Sequence, residues 1–128
     1  MNPKPIWSKT RFLTALRHAL QGLGYLVRTQ RNMRIHLLAA LNALTLGAFL
    51  PLTRGEWLAL LLTIALVLAT EGVNTAIEAV VDVATQEFHP LAKIAKDVAA
   101  GTVLFCALIS VIIGFLIFLP HLTALLHR

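Results

Sequence analysis

The chain has 128 residues, of which 58% are hydrophobic and 13% charged, and its formal net charge is +5. That is too apolar for an ordinary small soluble domain, where charged residues approach about a quarter, and one core of this size cannot hide three long apolar runs. The placement of the charge argues against nucleic-acid binding. Seven of the eleven Lys and Arg (Lys4, Lys9, Arg11, Arg17, Arg28, Arg31 and Arg34) precede the first apolar run, as in the cytoplasmic, lipid-facing flank of a small polytopic membrane protein.

In chain order, the first predicted element is an amphipathic surface helix over about residues 6–29. Phe12, Leu16, Leu20, Leu23 and Val27 share one face, while Thr14, Arg17, Gln21 and Arg28 take the opposite one. Such a helix lies in the headgroup plane, with Trp7 and Tyr25 as interface anchors. Gly22 and Gly24 weaken it locally and permit a bend or close packing. A first membrane span is expected at 35–52, ended by Pro51 and the turn-like run PLTRGE. Asn42 within it is expected to hydrogen-bond a neighbouring helix. The second span is expected at 57–84, and the third, 98–119, carries no charge and stops at Pro120. Each is long enough to cross a hydrocarbon core of about 30 Å.

The expectation is therefore a single all-α integral membrane domain over 1–128. A cleavable signal peptide is not expected, because basic groups recur throughout the first 34 residues. Cys106 is alone in an apolar run and supports neither a disulfide nor a thiolate metal site. Lys93 and Lys96 lie between the second and third spans, and only Arg54 and Arg128 fall on the other side. The N-terminus and second loop are then cytoplasmic, with the C-terminus outside. His121 and His127 read as polar flank residues of that outer face.

The second span carries the chemistry. WLALLLTIALVLAT, from Trp57, runs without a turn signal into EGVNTAIEAVVD, which ends at Asp82. Glu71, Asn74, Glu78 and Asp82 fall within an arc of roughly 80° on one helix face. Carboxylates in or near a bilayer are costly and mark a site or a buried partner. One can act as a general base toward a hydroxyl, another can hold Mg²⁺, and an amide can orient phosphate or metal. Pairing among themselves or with Lys and Arg in a helix bundle is the alternative. The loop EFHPLAKIAKD adds Glu87, His89, Lys93, Lys96 and Asp97 just before the third span. Lys neutralises phosphate as a point charge, and His or Asp can position a nucleotide. Anchoring at the inner membrane face accounts equally well for the two Lys, and helix capping for His89. No Walker A sequence and no kinase Gly-rich loop is present, so an ATP site here has another design.

EGVNTAIEAVVD together with HPLAKIAKDVAAG (His89–Gly101) resembles the prokaryotic diacylglycerol kinase and undecaprenol kinase family, and the upstream RNMRIHLLAAL (Arg31–Leu41) fits it too. The resemblance covers roughly residues 10–120. The full HPLAKIAKD form and the RN-x-R-x-H lead-in are similar to the Gram-positive undecaprenol kinase branch. The resemblance implies a homotrimer with an N-terminal surface helix and three transmembrane helices per subunit. It also implies active sites shared between subunits and transfer of the ATP γ-phosphate to a lipid alcohol with Mg²⁺. By the same resemblance, Glu71 is the catalytic base for the lipid hydroxyl, Asn74 binds beside it, and Glu78 binds metal and ATP. Glu87, Phe88, His89, Lys96 and Asp97 fall where the family contacts the nucleotide, and Arg11 and His18 align with contacts on the surface helix.

One position departs from the pattern. Before the Arg31–Asn32 pair the family has a Glu that helps hold the metal, and here that residue is Gln30. An amide offers an oxygen but no negative charge to a hard cation, so weaker Mg²⁺ affinity or reduced turnover is expected. The resemblance implies a multi-pass protein of the bacterial plasma membrane, acting in phospholipid metabolism, that phosphorylates undecaprenol. Diacylglycerol is the nearest alternative substrate. A small oligomeric transporter is the alternative from another class, disfavoured because the charges cluster at one membrane face.

Overall fold

The structure, a computed structural model, describes residues 9–127. Lys4, Trp7 and the start of the predicted surface helix lie outside the described residues. Four helices follow in order: α1 (Lys9–Thr29), α2 (Arg31–Phe49), α3 (Arg54–Ala84) and α4 (Pro90–Leu126).

α1 and α2 meet at a single extended residue, Gln30, with φ −96° and ψ 114°. The Gln30 amide still donates to the Leu26 carbonyl at 2.9 Å, so the chain turns without losing that bond. Nothing in Arg31-Asn32-Met33-Arg34 opposes helix formation, and α2 begins four residues before the apolar run expected at 35–52. It ends at Phe49, short of Pro51, which cannot continue a helix. Gly22 and Gly24 do not interrupt α1 and admit no close neighbour: a Cβ on either would meet nothing within 4 Å. The close approach is elsewhere. A Cβ on Gly47 would sit 3.0 Å from Leu52 Cδ1 and 3.2 Å from Trp57 Cη2, so this glycine lets the α2–α3 turn fold back tightly.

α3 starts with a reciprocal capping box. The Thr53 hydroxyl accepts from the Glu56 amide at 3.2 Å, and Glu56 Oε2 accepts from the Thr53 amide at 2.7 Å. Over its 31 residues α3 is about 46 Å long, longer than a bilayer core. α4 starts with His89 as N-cap and Pro90 in the first turn, where a missing N–H is harmless. The two helices form an antiparallel hairpin tied at both ends. Lys96 pairs with Asp82 beside the loop, and His121 Nε2 meets Glu56 Oε1 at 2.9 Å at the far end.

That second tie corrects two expectations. α4 does not stop at Pro120 but continues to Leu126. Pro120 cannot donate to the carbonyl one turn earlier, yet the last turns are held by His121 on Glu56 and by the Thr123 hydroxyl, 3.0 Å from the Leu119 and Pro120 carbonyls. His121 is thus an interhelical partner rather than a bare flank residue. Asn42 also differs from expectation: its amide donates to the Leu38 carbonyl of its own helix at 2.8 Å.

The core is narrow. Leu60 and Val67 of α3 lie against Ala99, Val103, Cys106 and Ile117 of α4, all buried. Outside this seam the apolar residues face outward, including Leu58, Leu62, Leu66, Leu104, Phe105 and Leu116. Among the described residues, α3 and α4 are long and apolar enough to cross a membrane. An outward apolar surface on helices that satisfy their own backbone groups is what a hydrocarbon solvent requires. The apolar face of α1 is likewise largely uncovered, with Phe12, Leu16, Leu20 and Leu23 exposed, and Leu26 approaches α3 over Gly72, where a Cβ would sit 3.5 Å from Leu26 Cδ1.

Candidate active site

The polar stripe continues the core seam of α3. At about 100° per residue, Leu60, Val67, Glu71, Asn74, Glu78 and Asp82 share one face, which turns from apolar to polar at Glu71. Packing against α4 therefore carries the first polar residues of the stripe into the interior. Glu71 is 1% exposed and Asn74 7%. The Asn74 side-chain amide donates to Glu78 Oε1 at 3.3 Å, which aligns those two groups one turn apart. Glu71 Oε2 and Asn74 Oδ1 are buried with no hydrogen-bond partner. Leaving one such acceptor unpaired costs on the order of 1–3 kcal/mol, more if charged, and folded proteins rarely tolerate it without a functional reason.

These groups border a cavity of about 250 Å³ between α2, α3 and α4. Its polar wall comprises Asn32, His36, Glu71, Asn74 and Glu78, and α4 supplies only Ala100, Val103, Leu104 and Ala107. His36 closes the RN-x-R-x-H lead-in, a pattern that by itself assigns it no role, and because Asn32 and His36 are four residues apart they project from one face of α2. His36 and Glu78 are the titratable neighbours of Glu71.

The donors of this cavity suit Mg²⁺ in part. The two unpartnered buried oxygens and the Glu78 carboxylate are hard oxygen ligands, which fits a cation that uses one or two carboxylates and fills its shell with water and phosphate. Among the described residues no group of three His, Cys, Asp or Glu converges into an all-protein metal site. Gln30 does not border this cavity, and its side-chain amide lies 3.3 Å from the Thr29 hydroxyl.

A second, open cavity of about 550 Å³ lies between the end of α3 and the start of α4. It brings together Glu87, Phe88, His89, Lys93, Lys96 and Asp97, all within the loop motif EFHPLAKIAKD, and adds Asp82 from the end of α3. His89 has a capping duty as well, with Nδ1 accepting from the Leu91 amide at 3.2 Å, which leaves the other ring nitrogen for a ligand. Lys93 is paired with Asp97, and Lys96 with Asp82, all partly exposed. Ion pairs of this kind contribute only about 0–1 kcal/mol and yield readily to a phosphate. Phe88 is 81% exposed, an aromatic face free to stack. Glu78 and Asp82 are one turn apart on the stripe, so the two cavities adjoin along α3 at roughly 6 Å.

Arg11 and His18 border neither cavity. Both lie on exposed α1, where His18 Nδ1 is 3.2 Å from Gln21 Oε1.

A buried carboxylate facing a cavity between three helices, about three turns from a basic cleft with an exposed aromatic ring, lies on a hairpin of two helices apolar enough to cross a membrane, and these features together define a membrane protein with a polar site along that hairpin. The chain belongs to the prokaryotic diacylglycerol kinase family, whose sequence profile matches residues 17–118. It is 46% identical over 112 residues to the undecaprenol kinase of Bacillus subtilis (strain 168), covering 88% of this chain and 91% of that protein. It is 44% identical over 115 residues to a diacylglycerol kinase of Synechocystis sp., covering 89% of this chain and 66% of that longer protein. To the diacylglycerol kinase of Escherichia coli (strain K12) it is 30% identical over 112 residues, covering 88% and 92%.

Proposed function

We propose that the chain is a membrane lipid kinase that transfers the γ-phosphate of ATP to the hydroxyl of undecaprenol, giving undecaprenyl phosphate. The observation that carries this reading is the buried Glu71 carboxylate, with an unpartnered oxygen, facing a cavity whose α4 wall is wholly apolar. A lipid alcohol must stay in the bilayer while its hydroxyl meets a water-soluble donor, and a carboxylate where a membrane helix turns polar answers that demand. Undecaprenol is preferred because of the similarity to the Bacillus subtilis protein. Diacylglycerol is the second reading, favoured by the similarity to the Synechocystis protein.

In this reading Glu71 accepts the hydroxyl proton as the lipid oxygen bonds to the γ-phosphorus. The bond from that phosphorus to the bridging oxygen breaks, and ADP leaves with the electron pair. Asn74 holds Glu78 in place and orients the hydroxyl end. Lys96 exchanges Asp82 for phosphate, Glu87, His89 and Asp97 border the nucleotide, and Phe88 stacks on its base. Mg²⁺, when bound, neutralises charge on the transferring phosphate, and Glu78 with Gln30 would hold it. Gln30, Arg11 and His18 lie away from the Glu78 cavity of their own chain, in keeping with a homotrimer in which a neighbouring subunit completes each site.

α2 is proposed to span the membrane as well, its 19 residues giving about 28 Å, which makes three spans with α3 and α4, and α1 lies on the membrane surface. The whole chain is then one domain of the bacterial plasma membrane, with its N-terminus and the active site on the cytoplasmic side and its C-terminus outside. The test is ADP release by detergent-solubilised protein given ATP and one lipid alcohol. Release dependent on undecaprenol supports the reading, release dependent on diacylglycerol alone exchanges the substrate, and no lipid-dependent release removes the kinase assignment.

A further inference from the structure

His36 is the one side chain common to two intramembrane cavities. On one side is the 250 Å³ cavity of Glu71, and on the other a cavity of about 190 Å³ among α2, α3 and α4, walled by residues such as Ala39, Ala43, Leu60, Val67 and Gly114. The two walls differ in kind. Around Glu71, unpartnered oxygens await a donor. In the second cavity the hydroxyls present are already committed: Thr63 donates to the Ala59 carbonyl at 2.6 Å and Ser110 to the Ala107 carbonyl at 2.7 Å. A ligand lying across both spaces thus meets hydrogen-bonding groups up to His36 and hydrocarbon immediately beyond it.

We propose that His36 is a substrate-positioning and specificity-determining residue: its ring hydrogen-bonds the lipid hydroxyl beside Glu71, and the first stretch of the lipid chain enters the apolar cavity behind it. The assignment rests on the lipid kinase reading above. A cavity of 150 Å³ holds a benzene ring, so 190 Å³ accommodates roughly six to eight carbons, a little more than one five-carbon prenyl unit. The small side chains of Ala39, Ala43 and Gly114 leave width for a branched methyl group. An alcohol whose hydroxyl carbon continues directly as hydrocarbon fits this sequence of walls. A diacylglycerol carries ester carbonyls within a few bonds of its hydroxyl, and past His36 the apolar cavity has no free donor among the described residues to meet them. Burying an acceptor unpaired is disfavoured far more strongly than losing a methylene contact. The specificity device is therefore the absence of donors just past His36.

The experiment uses the full chain in mixed detergent–lipid micelles and measures ADP release with farnesol, undecaprenol or dioleoylglycerol as acceptor. Wild type is expected to have the higher kcat/KM for the two prenols. His36→Leu is expected to lower kcat/KM for both by about tenfold, the scale of one lost hydrogen bond, with the KM for ATP unchanged. His36→Gln, which keeps a donor and an acceptor, should recover part of the loss; this recovery separates positioning from a general packing defect. Ala43→Leu, which fills the apolar cavity, should raise KM for the prenols and leave kcat in place. Unchanged kcat/KM in His36→Leu overturns the proposal, as does a matching rise in the KM for ATP or a His36→Gln variant no better than His36→Leu. Should His36→Leu fail to yield monodisperse protein, the His36→Gln and Ala43→Leu measurements decide alone. Wild-type protein without lipid-dependent turnover would overturn the kinase reading and this proposal together. Normal wild-type turnover with insensitive His36 variants overturns this proposal alone.

Discussion

Replacing Glu71 by Gln separates a catalytic carboxylate from a structural one, because the two roles move stability and rate in different directions. The substitution preserves shape and removes the charge. Glu71 is 1% exposed, one of its oxygens has no partner, and no ion pair involving it is present among the described residues. Removing a structural buried pair would destabilise by about 3–5 kcal/mol. Here there is no such pair to break. The fold already bears the burden of an unpartnered acceptor, on the order of 1–3 kcal/mol. Glu71→Gln should therefore leave the thermal midpoint in detergent unchanged or raise it slightly, as is common where an active site holds a destabilising group. General-base catalysis is worth about 10²–10⁴ in rate, so lipid-dependent ADP release should fall by at least about a hundredfold, or some 2.7 kcal/mol in barrier. ATP binding, read by nucleotide titration, should change little, because the basic cleft has its own residues. Wild-type turnover in this variant would refute the assignment of Glu71. A midpoint lowered by many degrees together with lost activity would refute the reasoning in another way, by making the carboxylate a structural element.

Gln30→Glu adds a negative oxygen where the family has Glu, and half-maximal turnover should then be reached at lower Mg²⁺ concentration; an identical Mg²⁺ titration would argue that position 30 is not a ligand. Lys96→Met should raise the KM for ATP roughly tenfold or more, the scale of one hydrogen bond to a charged group, while Lys93→Met does so less; equal effects would contradict the distinction between them. Thr53→Ala removes the α3 cap and should lower stability by about 1 kcal/mol without altering the KM of either substrate, checked by thermal unfolding and by kinetics on the same preparation.

The apolar runs of the two hairpin helices, the polar stripe and the grouping around the loop are all legible in the residue pattern. Those properties follow from composition and from a 100° angular repeat, both local to one segment. The sites of Pro90, Thr53 and Glu56 are legible the same way, since capping needs only residues three or four apart. What tertiary structure decided is how deeply each residue lies and what faces it. A helical repeat puts Glu71, Asn74, Glu78 and Asp82 on one face but cannot say that α4 covers the first two and leaves Asp82 exposed. Neither could it pair His121 with Glu56 across 65 positions and so carry α4 past Pro120, because that contact depends on the register of two helices. His36 stayed unassigned for the same reason. Its meaning lies in the junction of two cavities walled by three helices, a relation that exists only once the chain has folded.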